Sequence, residues 1–143
     1  MESKATATVE AFIAAINEGD AVQLSELMTE DHTFVVSGGT VESGRKNMTK
    51  GWNEYFQMFP DFKVEGDCML QDGNLVAAFG KASGTYNSKR GLVPANRIEM
   101  PAAWRAIVEN EKIKFWQAYA DWSEGGTIIA ESSRWLGDRL RGW

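Results

Sequence analysis

The chain has 143 residues, of which 43% are hydrophobic and 24% are charged, and its formal net charge is −5. This composition is that of one folded domain, and the acidic balance argues against nucleic acid or anionic lipid as a partner, because both attract clustered Lys and Arg. Cys68 is the only cysteine, which excludes an internal disulfide and a cysteine-rich metal site. The absence of a signal-peptide pattern and of any run of 18 apolar residues predicts a cytoplasmic protein without a membrane segment.

Helical spacing of apolar residues dominates the first part of the chain. Residues 8–18 predict an amphipathic helix that ends at Gly19, because apolar side chains recur there at offsets of three and four. Asp20 is placed to cap a second, shorter helix, and residues 33–36 predict a short strand. A third helix is predicted over residues 46–59, and its apolar face consists of Met48, Trp52, Tyr55, Phe56 and Phe59.

After Pro60 the apolar period changes to two, which predicts strands. These strands cover residues 62–68, 75–86, 98–108 and 114–122. The Asp72-Gly73 pair predicts a hairpin turn, and Gly80 and Gly84 indicate a strongly bent strand. Pro101 predicts a bulge or a sheet edge at its position, because proline lacks the N–H group that a ladder needs.

The segment KFWQAYADW, residues 114–122, carries aromatic side chains on both faces of the last strand. One row consists of Phe115, Gln117, Tyr119 and Asp121, and the other of Trp116, Ala118, Ala120 and Trp122. We expect the first row to face the interior, where desolvation would raise the pKa of Asp121 towards a range useful for acid–base chemistry. The alternative is that Asp121 ends the strand at the rim, in water.

Three stretches together resemble a known superfamily. They are LMTEDHTFVV after the second helix, SGRKNMTKGWNEYFQMFPDFKVE around the third helix, and ENEKIKFWQAYAD in the last hairpin. The chain resembles nuclear transport factor 2, ketosteroid isomerase and the SnoaL-like polyketide cyclases over about residues 8–122. This resemblance implies a single α+β domain over residues 1–143, with 123–143 as a C-terminal tail. It also implies a cone in which three N-terminal helices pack into a strongly curved, mostly antiparallel sheet.

The resemblance also implies partners and roles. It implies an open-ended pocket for an apolar small molecule and a homodimer through the outer face of the sheet. Asp121 looks like the carboxylate that handles a proton in the SnoaL-like cyclases and the limonene epoxide hydrolase-like enzymes. In that mechanism Asp121 removes a proton beside a carbonyl, while Tyr55, Tyr119 or His32 stabilises the developing oxyanion. For His32, the alternative is a structural or pocket-lining histidine.

The chain also departs from these enzyme families. The Arg-x-Asp pair of the epoxide hydrolases, the buried acid pair of the isomerase and the strand histidine of the cyclases have no recognisable counterparts. One histidine without a second ligand at metal-binding spacing predicts no metal site, and no cofactor is expected. The predicted ligand-binding residues are Trp52, Tyr55, Phe56, Phe59, Phe115 and Gln117.

Two other functions are compatible with the same fold. A non-catalytic domain would use the cavity to bind a ligand or the sheet to pair with another protein. A structural assembly module is favoured if side chains fill the pocket.

Overall fold

The computed structural model describes residues 4–133, in which helices pack against the inner face of a curved six-stranded sheet. The helices are α1 (Lys4–Glu18), α2 (Ala21–Glu26), α3 (Arg45–Met58) and α4 (Ser123–Ser133), with a 3-10 turn at Pro94–Asn96. The strands are β1 (Met28–Val35), β2 (Val41–Ser43), β3 (Lys63–Asp72), β4 (Leu75–Thr85), β5 (Arg97–Glu109) and β6 (Lys112–Ala120). The predicted α+β cone is therefore confirmed.

The strand order in the sheet is β2-β1-β6-β5-β4-β3. All neighbours are antiparallel except β1 and β6, which run parallel. Strand β1 is longer than the prediction of residues 33–36, because its pairing with β6 already begins at Met28, opposite Ile113. The polar side chains between Met28 and Thr33 hide this extension in the sequence.

Helix α1 packs in the centre of the core. The ring of Phe12 is completely buried and lies 4.7 Å from Trp116 and 6.4 Å from Trp52, measured between ring centroids. The predicted cap of α2 is confirmed, since the side chain of Asp20 accepts a hydrogen bond of 3.0 Å from the amide of Gln23.

The sheet bends where β3 and β4 pair. The register between these strands shifts between Gly66 and Cys68, and Gly80 lies opposite Gly66. A Cβ atom on Gly80 would overlap the carbonyl oxygen of Glu65 and lie 2.8 Å from its carbonyl carbon. The bend therefore requires glycine at position 80.

Pro101 lies in the middle of β5 without a register shift in its pairing with β4. The pairing of β5 with β6 ends at Ala102, opposite Ala120, so Pro101 is registered against β4 alone. The prediction of a local edge at Pro101 is confirmed, and that of a bulge is wrong.

Helix α4 begins at Ser123, the first residue of the predicted C-terminal tail. The remainder of that tail, residues 134–143, lies outside the described residues. Within residues 4–133, none of the helices combines the length and the apolar character needed to cross a bilayer.

Candidate functional site

The two rows of side chains on β6 point opposite to the expected directions. Trp116 is 1% exposed, whereas Tyr119 is 46% exposed. Gln117 accepts a hydrogen bond of 2.8 Å from Arg105, whose guanidinium carbon lies 5.0 Å from the ring centroid of Phe115. The expected interior placement of Phe115, Gln117 and Tyr119 is therefore wrong. Burying the row that contains the indole of Trp116 removes a large apolar surface from water, and the other row packs against a charged side chain on the outer face.

Asp121 is exposed and lies two residues before Ser123, the first residue of α4. Its Oδ1 atom accepts a hydrogen bond of 2.9 Å from the amide of Ser123. Hydrogen bonds from Ser123 lower the pKa of the Asp121 carboxyl, and the opposing effect of burial is smaller. The expected rise of the Asp121 pKa is therefore wrong. Its role in proton transfer stays a prediction.

The apolar face of α3 packs against the core, as predicted. Trp52 and Phe59 are buried, and the half-buried Tyr55 and Phe56 pack against the same core. Ring centroids lie 5.5 Å apart for Trp52 and Phe56 and 5.2 Å apart for Tyr55 and Phe59. These spacings mean direct ring contact, so aromatic side chains fill this part of the predicted pocket, which is the condition that favours a structural assembly module.

Three buried polar atoms of this interior have no hydrogen-bond partner among residues 4–133. They are Nε2 of His32, Nε1 of Trp52 and the hydroxyl oxygen of Tyr55. Each is closed off from water, and an unpaired buried polar group costs about 1–3 kcal/mol of folding free energy. Because such groups are rare in folded proteins, these three atoms are the strongest indication of a binding site in the cone.

The hydrogen bond of His32 fixes its chemical form. Its Nδ1 atom lies 2.7 Å from the carbonyl oxygen of Ile113. A carbonyl oxygen only accepts, so Nδ1 donates and Nε2 of the neutral ring carries a free lone pair. Burial lowers the pKa of His32 below 6.5, although the bond to Ile113 and the charge of Asp31 act in the opposite direction. Asp31 itself is exposed, with Oδ2 3.7 Å from Nζ of Lys114.

Tyr55 and Trp52 are complementary to His32 in hydrogen bonding. Burial raises the pKa of the Tyr55 hydroxyl well above 10, so the phenol remains neutral and can donate a proton in a hydrogen bond. The indole N–H of Trp52 is a donor only. The interior therefore offers two donors and one acceptor, all uncharged near neutral pH.

The lowered pKa of His32 predicts a pH-dependent stability. In the unfolded chain His32 binds a proton near pH 6.5, whereas in the folded chain it does so only at lower pH. The free energy of unfolding is therefore greatest above about pH 6.5 and falls as the pH decreases below that value. We expect the slope in this window to approach about 1.4 kcal/mol per pH unit, the value for one proton. Urea unfolding between pH 7.5 and 5.5 measures it.

The control for this prediction is His32→Asn, whose amide can still donate to Ile113 but does not titrate. His32 is the only histidine in the chain, so the slope should nearly disappear in the variant. An equal slope in parent and variant would show that other groups cause it.

A separate groove of about 550 Å³ lies on the outside of the molecule, next to α2 and α3. Its lining residues are Ser25, Arg45, Lys46, Thr49, Lys50, Asn53 and Glu54. None of the predicted site residues contributes to it. Among residues 4–133, no cluster of three or more His, Cys, Asp or Glu side chains could hold a metal ion.

Solved structures share this fold at low sequence identity. A protein from Catenulispora acidiphila with a ketosteroid isomerase-like fold, in complex with trimethylamine, is 21% identical with a TM-score of 0.73, and the match covers 88% of this chain and 92% of that one. IdmH from Streptomyces antibioticus, a candidate polyketide cyclase, is 23% identical with a TM-score of 0.73, and the match covers 90% of this chain and 99% of that one. An epoxide hydrolase from M. tuberculosis is 16% identical with a TM-score of 0.73, and the match covers 93% of this chain and 94% of that one.

These similarities show the fold, since all of these identities are below 25%. The comparison with curated proteins found no match. The model of the SnoaL-like domain matches residues 9–116, which include most of α1, all elements from α2 to β5 and the buried Trp116 of β6. The chain therefore belongs to the SnoaL-like domain family.

Proposed function

We propose that this protein binds a neutral, planar small molecule inside the cone, between α3 and the inner face of the sheet. In this complex Tyr55 and Trp52 donate hydrogen bonds to the ligand and His32 accepts one. The observation that carries the proposal is the set of three buried polar atoms without partners. A ligand with both a hydroxyl and a carbonyl group on a flat apolar body would complement this arrangement.

A neutral ligand is favoured over a charged one. The buried polar side chains of the described residues are Thr8, His32 and Thr85, so this part of the chain buries no carboxylate or ammonium group to pair with an ion. The trimethylamine bound by the Catenulispora protein supports small-molecule binding within this fold. The amine itself, charged at neutral pH, is a poorer match for the interior of this chain.

For proton transfer, His32 is the acceptor that we propose. Its Nε2 lone pair is free, and in this proposal the Tyr55 and Trp52 donors stabilise an enolate oxygen after a proton leaves the carbon beside a carbonyl. Asp121 and Tyr119 stay predictions as catalytic residues, supported by their places near the end of β6. Their exposure makes them weaker candidates than His32.

The pair of probes 2-naphthol and naphthalene tests the binding proposal, because the two molecules differ by one hydroxyl group. We expect the parent to bind 2-naphthol about fivefold more tightly than naphthalene, since one hydrogen bond contributes roughly 1 kcal/mol. In Tyr55→Phe this preference should shrink while affinity for naphthalene is retained. Titrations followed by ligand fluorescence measure both affinities.

Two controls belong to this experiment. The ligand-free Tyr55→Phe protein should be as stable as the parent or more stable, because the variant removes an unpaired buried hydroxyl. Asp121→Asn keeps a side-chain oxygen that can accept from the amide of Ser123 while removing the charge, so it separates this hydrogen bond from acid–base chemistry. Equal preference for 2-naphthol in the parent and Tyr55→Phe would contradict the proposal.

The outer face of the sheet supports a second role, as an interface. Cys68, Phe79, Ala103 and Tyr119 form a row across four neighbouring strands, and Phe79 and Tyr119 are 44% and 46% exposed. We propose a homodimer through this row, because a second copy would remove these rings from water. Light scattering should give about twice 15.9 kDa, and a mass of 15.9 kDa at all concentrations would contradict it. If the interior binds no ligand, this interface is the better candidate for the function.

A further inference from the structure

Trp122 lies between β6 and α4 and covers the aromatic end of the interior. The centroid of its ring is 5.7 Å from Phe59, 6.2 Å from Tyr55 and 6.4 Å from Phe62. The contact with Tyr55 is edge-on, at an interplanar angle of 87°. The indole therefore packs directly against the residue whose buried hydroxyl has no partner.

Helix α4 holds the indole in this position from outside. A Cβ atom on Gly125 would lie 2.6 Å from Cε3 of Trp122 and 3.2 Å from Cδ1 of Ile98. The first turn of α4 thus rests on the indole without space for any side chain at position 125. At Gly126 a Cβ atom would meet no atom within 4 Å.

Trp122 is held in place by less of the surrounding structure than Trp104 and Trp116 are. Trp104 and Trp116 are held within the paired strands β5 and β6, whereas Trp122 lies two residues beyond the end of β6 and is half-buried. The helix that covers it contains Gly125 and Gly126 in succession, and glycine is the poorest helix former apart from proline. Opening at this point requires no break in the sheet.

We infer that Trp122 is a gate that occupies the ligand position in the empty protein and is displaced when a ligand binds. This inference rests on the proposed function. The indole is a planar bicyclic group, so the space it leaves would accept a ligand body of two fused rings in contact with Tyr55. A protein that must first displace its own ring binds the ligand more weakly than its open form does. Its apparent affinity is the affinity of the open form multiplied by the fraction of time that the gate is open.

The experiment uses the full chain labelled with 5-fluorotryptophan, which gives a fluorine resonance for each of the six tryptophans. Trp122→Phe identifies the resonance of Trp122 by its loss. When 2-naphthol is added to the parent, the solvent isotope shift of the Trp122 resonance should increase towards that of a fully exposed indole. An unchanged isotope shift of Trp122 while 2-naphthol binds would overturn the gate and leave the binding proposal intact.

Gly125→Ala and Gly126→Ala form a matched pair, because both add one methyl group to the same helix. The methyl group at position 125 collides with the indole, so Gly125→Ala should expose Trp122 in the absence of ligand. The variant should also bind 2-naphthol about tenfold more tightly, which is the gain expected if the gate of the parent is open about one-tenth of the time. Gly126→Ala should change neither quantity. Equal behaviour of the two variants would overturn the gate.

Trp122→Ala provides a second test that does not depend on the packing of α4. It should tighten binding of both 2-naphthol and naphthalene, because neither probe must then displace an indole. Unchanged affinity for both probes would contradict the gate. If 2-naphthol binds to none of these proteins, the proposed function fails, and the gate fails with it.

Discussion

Gly80→Ala is expected to lower the free energy of unfolding by about 3 kcal/mol or more, among the largest effects of a single methyl group in this chain. The added carbon would overlap the carbonyl oxygen of Glu65 and approach the amide nitrogen of Asp67 to 3.2 Å. Both groups belong to the backbone of β3, so relief requires movement of a paired strand. Urea denaturation of parent and variant measures the loss.

Gly66→Ala is the matched control, because Gly66 faces Gly80 across the same pair of strands. A methyl group at position 66 would be 3.6 Å from the side chains of Ile13 and Met69, which is ordinary contact. We expect a change below about 1 kcal/mol for this variant. If both variants lose the same stability, the bend does not depend on the close approach at Gly80.

Trp116→Ala is expected to cost about 3–5 kcal/mol, the usual range for removing a large aromatic ring from a core. Its ring is 1% exposed and packs 4.7 Å from the ring of Phe12 on α1. The variant therefore opens a cavity between the sheet and the helices. Thermal or chemical unfolding at a fixed protein concentration measures the loss.

Tyr119→Ala is the comparison for this second prediction, since Tyr119 lies on the same strand but on the opposite face. We expect it to cost less than about 1 kcal/mol at concentrations where the chain is monomeric. A larger loss for Tyr119→Ala than for Trp116→Ala would reverse the assignment of the two faces of β6.

Alternation along β6 predicts which residues share a face, but it does not predict which face is buried. Both rows contain aromatic rings, and the interior row includes Ala118 and Ala120, whose small side chains resemble those of an outer face. Larger rings from the helices contribute the volume that these alanines leave free. The arrangement depends on tertiary packing, so the sequence pattern of one strand cannot decide it.

The helices and hairpins were easier to predict from the sequence than the buried face of β6. The apolar face of α3, the cap at Asp20 and the turn at Asp72-Gly73 each depend on a local rule, and the structure confirms all three. Asp121 was interpreted as a chemical group, although aspartate side chains commonly accept a hydrogen bond from the amide two residues on, as Asp121 does from Ser123. The two glycines of α4 obscured the start of this helix at Ser123, because they are typical of a loop.

The polar tips of Trp52 and Tyr55 could be predicted to lie near the interior, but not to lack partners. Whether a buried donor is paired depends on the backbone and side chains that surround it in three dimensions. His32 shows the same limit, because its partner is the carbonyl of Ile113, 81 residues away in the sequence. These unpaired atoms support the binding proposal, and they became visible only in the folded chain.

A crystal structure of the protein with 2-naphthol would show whether the cone binds a planar ligand. We expect the naphthyl rings inside the cone, with the ligand oxygen within hydrogen-bond distance of the Tyr55 hydroxyl or of the Trp52 indole nitrogen. Density for the probe only in the groove beside α2 and α3 or on the outer face of the sheet, with the interior rings unchanged, would contradict it.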